Sequence, residues 1–247
     1  LRWLAKTDPA SNHNRACQLQ ETHTGQWLFR STDYNEWISG QARHLWLHGI
    51  PGAGKTILAS FIIQDVKRFC ESSGLGDLGW AYYYCYFGRN QDESHDFLCW
   101  IINQLCRQLK YVPQKLVSLK NLAAAPSLSD LLDILSTVVK KFRRVYIIVD
   151  ALDESQDRRF ILDLLVKIVG DDAFQNISLL TTSRKELDIL QAFEGVCSSI
   201  SLSNPLVDED ICTYVESQLQ TDRKFSRWPV SLRTEIRNAL TEGAKGM

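Results

Sequence analysis

No stretch of the 247 residues approaches about 18 uninterrupted apolar positions, so no membrane-spanning helix is expected. Residues 1–20 lack the apolar run of a signal peptide, so no secretory leader is expected. Neither sign of charge is in excess: 28 Lys+Arg face 29 Asp+Glu, a net charge of −1. That balance gives no long-range attraction to nucleic acid or anionic membrane, and neither is expected as a partner, although a local basic patch stays open. The seven cysteines are scattered, with no CxxC and no Cys/His cluster at zinc-ligand spacing. This excludes a disulfide framework and a zinc site. Cys99 and Cys106 lie on one predicted helix and read as buried core thiols, and a reduced, cytoplasmic protein is expected. Internal repeats and low-complexity tracts are also missing. What the chain does have is a 45% hydrophobic content, which excludes a disordered segment. Its length suggests one large domain, or one plus part of a second. It begins at Leu1 rather than Met and ends at Met247 in a helical pattern, so a fragment of a longer protein is expected.

Residues 1–24 are polar and read as an irregular leader, with His13 and His23 as solvated side chains. Thr32 or Asp33 could cap a short helix carrying Tyr34, Trp37 and Ile38. From there strands and helices alternate. Strand candidates are His44–Gly49, Trp80–Phe87, Arg144–Asp150, Ile177–Arg184 and Ser198–Leu202. Between them lie helical stretches. Gly54–Gly74 has Ile57, Phe61, Val66 and Phe69 on one side, Ser94–Leu109 has Ser94 as a plausible cap, and Ser127–Phe142 has Ser127 and Asp130 in capping-box positions. Helices are also expected at Phe160–Val169 and Leu187–Phe193. The segment between Pro113 and Pro126 carries no clear pattern. Alternation of this kind builds right-handed βαβ units and a parallel sheet covered on both faces. After Pro205 two helices follow with no strand between them, which places a boundary near Asn204. The division is therefore a leader and lead-in helix over 1–40, a core over 41–204, and the start of a helical subdomain over 205–247.

Gly49-Ile50-Pro51-Gly52-Ala53-Gly54-Lys55-Thr56 matches G-x-x-x-x-G-K-[ST] at every fixed position, between a predicted strand and a predicted helix. The glycines let the backbone turn tightly and aim successive N–H groups at phosphate oxygens, and the helix N-terminus adds partial positive charge. Lys55 is placed to reach the β- and γ-phosphates, and the Thr56 hydroxyl to ligate Mg²⁺. A second metal-side carboxylate is needed at the end of a neighbouring buried strand, and Asp150, after Tyr146–Val149, supplies it. Asp153 and Glu154 follow within a turn. Either could orient or deprotonate an attacking water, or simply cap the next helix. Arg184, at the end of its strand, can sense a γ-phosphate, and Arg89 is a weaker candidate.

The set TGQWL, LWLHGIPGAGKT, WAYYYCYF, VYIIVDALDE and LLTTSR resembles a NACHT-type (STAND class) P-loop NTPase over about residues 20–204. It is most similar to the nephrocystin-like N-terminal domain of fungal NOD-like receptors. The most specific point is the small residue Ala151 after Asp150, followed by Asp153-Glu154. The resemblance implies a three-layer α/β sandwich with a five-stranded parallel sheet of order 5-1-4-3-2. It implies ATP or GTP binding with Mg²⁺, slow hydrolysis, and a diphosphate-bound resting state. It further implies self-association in the triphosphate state, and effector and repeat modules outside this chain, in an innate-immunity signalling setting. It places Trp27 of TGQWL near the base. Lys185 departs from the proline common after the arginine.

Three functions compete on these residues: a signal-transducing NTPase switch, a nucleotide-dependent assembly scaffold without meaningful turnover, and a P-loop enzyme such as a kinase acting on a small substrate. No arginine-rich lid supports the last, and no NKxD motif selects ATP or GTP.

Overall fold

The computed structural model describes residues 3–4, 8–74, 76–88, 93–122, 125–225 and 227–244. In chain order the elements are α1 (Ala10–Gln18), α2 (Gln26–Arg30), α3 (Thr32–Ser39), β1 (His44–His48), α4 (Lys55–Ser72), β2 (Leu78–Tyr84), α5 (Ser94–Leu109), α6 (Gln114–Asn121), α7 (Leu128–Val139), β3 (Arg144–Asp150), α8 (Arg158–Gly170), β4 (Ile177–Ser183), α9 (Leu187–Phe193), β5 (Ser198–Ser201), α10 (Pro205–Thr221) and α11 (Val230–Ala244). Every strand pairing is parallel. The sheet runs β2-β3-β4-β1-β5, the expected 5-1-4-3-2 order read from the other edge.

Side chains alternate across the sheet, so each strand feeds two cores. Trp46, Tyr83, Ile147 and Leu179 pack under α5, α7 and α8. Leu45, Tyr82, Tyr146 and Leu180 pack under α3 and α4 on the other face. Cys99 and Cys106 are buried in the first core, as expected of packing thiols. The β2 edge is shielded by two glutamines one turn apart on α5. Gln108 donates to Trp80 O at 2.6 Å and accepts from Trp80 N at 3.1 Å, and Gln104 does the same for Tyr82 at 2.8 and 3.3 Å. These amides stand in for a neighbouring strand and blunt an edge that could otherwise pair with another chain.

Several local expectations are corrected. The leader contains α1, a polar helix with Ala16 its one buried residue, held by side-chain bonds from His13 to Tyr84 and from Gln64 to Cys17. His13 is therefore docked, and burial lowers its pKa. Ser31, not Thr32 or Asp33, caps α3 through Tyr34 N. Ser94 lies inside α5 rather than capping it, Glu93 holding that position. On α4 the buried stripe is Ala59, Ile62, Ile63, Val66 and Cys70. Phe69 is exposed, and Ile57 and Phe61 border a cavity instead. The segment after Pro113 forms α6. The Ser127–Asp130 capping box is present. Asn204 caps α10 by accepting from Leu206 N and Val207 N.

His44 on β1 is buried, with Nε2 3.0 Å from Thr181 Oγ1 and the ring edge-on to Phe193 at 4.5 Å. Its Nδ1 is buried without a hydrogen-bond partner among the described residues, so protonation would strand a charge, and burial pushes its pKa down to about 3. The unfolded chain takes up this proton below about 6.5. The fold refuses it until near 3, so stability falls as pH drops through that window. Between pH 7 and pH 5 His44 should cost about 2 kcal/mol. Urea unfolding of wild type and His44→Gln at both pH values checks this, and equal pH slopes would refute it.

Candidate functional site

β1, β4 and β3 are neighbours, and all three end at the same edge of the sheet. The loop Gly49–Gly54 leaves β1, Asp150 ends β3, and Arg184 follows β4. Gly52 and Gly54 sit at φ 82° and 81°, left-handed backbone that a side chain would strain. At Gly49 an added Cβ would come within 3.0 Å of Leu202 Cβ, so its role is close packing against the strand β5 exit. Ala53 is buried, while Ile50 and Pro51 are exposed at the rim. α4 begins at Lys55, so its first N–H groups open onto the cleft. Lys55 is half-buried at the cleft. Its ammonium folds back and donates to Gly49 O and Ile50 O, each at 2.8 Å, and burial lowers its pKa.

Asp150 is buried and pairs in register with Tyr84 of β2. Thr182 Oγ1 donates to Asp150 Oδ1 at 2.5 Å and accepts the Ala151 N–H at 3.0 Å. Burial pushes the Asp150 carboxyl up to about 6, with the Thr182 and Thr56 hydroxyls acting against it. Among the described residues Oδ2 is buried without a hydrogen-bond partner. An orphaned carboxylate oxygen beside a threonine hydroxyl is the donor set a hard, oxygen-preferring cation takes, and Mg²⁺ draws its remaining ligands from water and phosphate. The residues present therefore fit Mg²⁺. Among the described residues no group of three His, Cys, Asp or Glu could hold a metal alone.

Ala151 adopts φ 57°, and this left-handed kink turns the chain out of β3 into a 3-10 turn over Leu152–Glu154. Asp153 is engaged: its Oδ1 accepts the Arg184 backbone N–H at 2.9 Å, and its Oδ2 is ion-paired with Arg184 Nε at 3.0 Å. The Glu154 carboxylate makes no hydrogen bond or ion pair among the described residues, and burial, then Asp153, raises its pKa. Lys55, Thr56, Asp153, Glu154 and Arg184 line one cleft of about 280 Å³.

This cleft shares Gly52, Gly54 and Ile57 with a second, mostly apolar cavity of about 770 Å³ between the lead-in segment and α10–α11. Trp27 is not in its wall. The Trp27 indole donates instead to Asp210 Oδ2 at 2.9 Å, beside the Gly25 N–H at 2.8 Å. Gly25, Phe61, Asp210 and Tyr214 line the cavity in its place. Thr182, Asp210 and these wall residues are the parts that sequence reasoning missed. The threonine pair was visible in LLTTSR, but nothing local in the sequence tells which strand stands beside Asp150. Arg89 lies outside the described residues. No helix among the described residues is long and apolar enough to cross a membrane.

A family model described as Nephrocystin 3, N-terminal, matches residues 23–184. The vegetative incompatibility protein HET-E-1 of Podospora anserina is 25% identical over 205 residues, covering 78% of this chain. The chain spans only 15% of that relative's length. Among solved structures, the Walker-type ATPase PABY2304 of Pyrococcus abyssi aligns with TM-score 0.53 at 13% identity, over 94% of this chain and 68% of that one. The ADP form of the Aeropyrum pernix ORC2 protein aligns with TM-score 0.50 at 18% identity, over 94% and 63%. At such identities these neighbours speak for the fold alone.

Proposed function

The chain belongs to the nephrocystin 3 N-terminal family, the NACHT-like form of P-loop NTPase domain, and from that premise we propose that it binds Mg²⁺ with ATP or GTP and hydrolyses it slowly as a molecular switch. The observation that carries this is the joining of two unlike cavities at Gly52–Gly54: a polar cleft sized for phosphates and an apolar one sized for a nucleoside. The loop N–H groups and Lys55 cradle the β- and γ-phosphates. Thr56 and Asp150 hold Mg²⁺, which when bound neutralises charge on the phosphates. Glu154 takes the proton of the attacking water. Arg184 leaves Asp153 to meet the γ-phosphate. α10 and α11 close the nucleoside side, so their position reports occupancy. In the whole protein the triphosphate state would self-associate and pass a signal between effector and repeat modules in the cytoplasm, as expected of an innate-immunity receptor.

The test is a nucleotide titration with and without Mg²⁺ on wild type and Asp150→Asn. The variant removes a metal-side charge and leaves the backbone cradle intact. It should weaken Mg²⁺-dependent binding by roughly tenfold or more, with Mg²⁺-free binding little changed. Equal loss in both conditions would make Asp150 a structural residue.

A further inference from the structure

Behind the cleft, one guanidinium joins the two loops that form its far wall. Arg158 opens α8 and is partly buried. Its Nη1 donates to the Asp153 carbonyl at 3.2 Å. Nε and Nη2 hold the Asp188 carboxylate as a fork, at 2.5 and 3.1 Å, and Nη2 also meets Glu186 Oε2. One side chain therefore ties the turn after β3 to the loop after β4 and to the first turn of α9. Arg184 makes the reciprocal link inside the cleft, from the β4 loop back to the Asp153 carboxylate. The two arginines cross-brace the same pair of loops. Arg158 does not line the cleft, so it is not placed to touch a phosphate.

Arg184 is committed to Asp153 in this structure. To meet a γ-phosphate its side chain must leave that carboxylate, and the reach of the freed side chain depends on where its backbone stays. Misplacing such a group by about 1 Å costs on the order of a hundredfold in its effect. A bidentate guanidinium fixes both distance and orientation, which a lysine cannot reproduce. We propose that Arg158 is the positioning residue for triphosphate recognition: it holds the Asp153 turn and the Arg184 loop in register, so that Arg184 can exchange Asp153 for a γ-phosphate while its loop stays in place. This rests on the nucleotide reading above. A diphosphate offers nothing to Arg184 and does not need the brace.

The experiment compares Arg158→Gln, Arg158→Lys and Asp188→Asn in the 247-residue chain. Affinities are measured for a diphosphate and for the Mg²⁺ complex of a non-hydrolysable triphosphate, in adenine and guanine series. Arg158→Gln should bind diphosphate within about threefold of wild type and the triphosphate analogue roughly tenfold more weakly, with Arg158→Lys only partly restored. Asp188→Asn, on the exposed side of the brace, should shift the ratio in the same direction. If repulsion by the unpaired carboxylates were the cause, Asp188→Asn would instead strengthen triphosphate binding, and the proposal would be overturned. An unchanged ratio, or equal loss of both nucleotides with a lowered Tm, also overturns it. Wild type that binds neither nucleotide removes the underlying reading, a result distinct from any change in the ratio.

Discussion

Glu154→Gln is expected to keep nucleotide affinity and to cut single-turnover hydrolysis by about 10²–10⁴, the usual cost of losing a general base. The two acids after Asp150 are equivalent in sequence, but the structure separates them. Asp153 is nearly buried and spends both oxygens on Arg184, on its backbone N–H and on its Nε. Held at both oxygens, this carboxylate is not free to approach water. Glu154 lines the same cleft, its carboxylate has no partner among the described residues, and its pKa is raised by burial and by Asp153 beside it. A carboxylate whose pKa is raised in this direction is a better proton acceptor. The hydrolysis rate should fall as pH drops through a value above the ordinary carboxylate range, and that acidic limb should vanish in Glu154→Gln. Asp153→Asn should behave differently: it frees Arg184 and should alter triphosphate affinity more than the chemical step. If Asp153→Asn slows hydrolysis more than Glu154→Gln, the base assignment is reversed. If neither slows it, both acids serve the turn alone and the scaffold reading gains.

The parts of the site legible in the sequence are those whose meaning is local. Gly49–Thr56 is read from eight adjacent residues between a strand and a helix, and Asp150 from the apolar run that ends on it. Sheet order is not local, and periodicity could not supply it; the resemblance did. The consequence is visible at Thr182, whose bond to Asp150 exists only because β4 lies beside β3. Asp210 is further out of reach. It meets Gly25 and Trp27 across more than 180 positions of chain, and no pattern in α10 marks it. α1 is hidden for the opposite reason: it buries only Ala16 and is polar overall, so it lacks the apolar stripe that marks a core-facing helix, and side-chain hydrogen bonds hold it instead. On α4 the apolar residues exceed what one face needs. Ile57 and Phe61 belong to the cavity rather than the sheet-facing stripe, and a single-stripe reading merged the two sets.

Lys55→Ala should abolish measurable Mg²⁺-nucleotide binding while the chain stays folded. The ammonium is the one cation on the P-loop itself, and in this structure it already makes two short hydrogen bonds to the carbonyls of Gly49 and Ile50. Those contacts place it over the cradle, where β- and γ-phosphate oxygens would lie. Burial has already removed part of its water, as the lowered pKa records, so it meets phosphate with less hydration left to lose. Charge-assisted hydrogen bonds contribute about 1.5–3 kcal/mol each, and losing two of them weakens binding by roughly 10²–10⁴. The cost to the fold is smaller. Gly49 O and Ile50 O lose a donor at a cleft open to water, which can replace it, so the expected loss of stability is about 1 kcal/mol. Calorimetric titration with Mg²⁺-ATP and Mg²⁺-GTP, run beside a thermal melt, separates the two effects. Unchanged affinity in a variant with near-native Tm would sink the phosphate-site assignment. A collapse of Tm would instead make the Lys55 bridge to Gly49 and Ile50 a structural element of the loop, and Asp150→Asn would then carry the test of nucleotide binding.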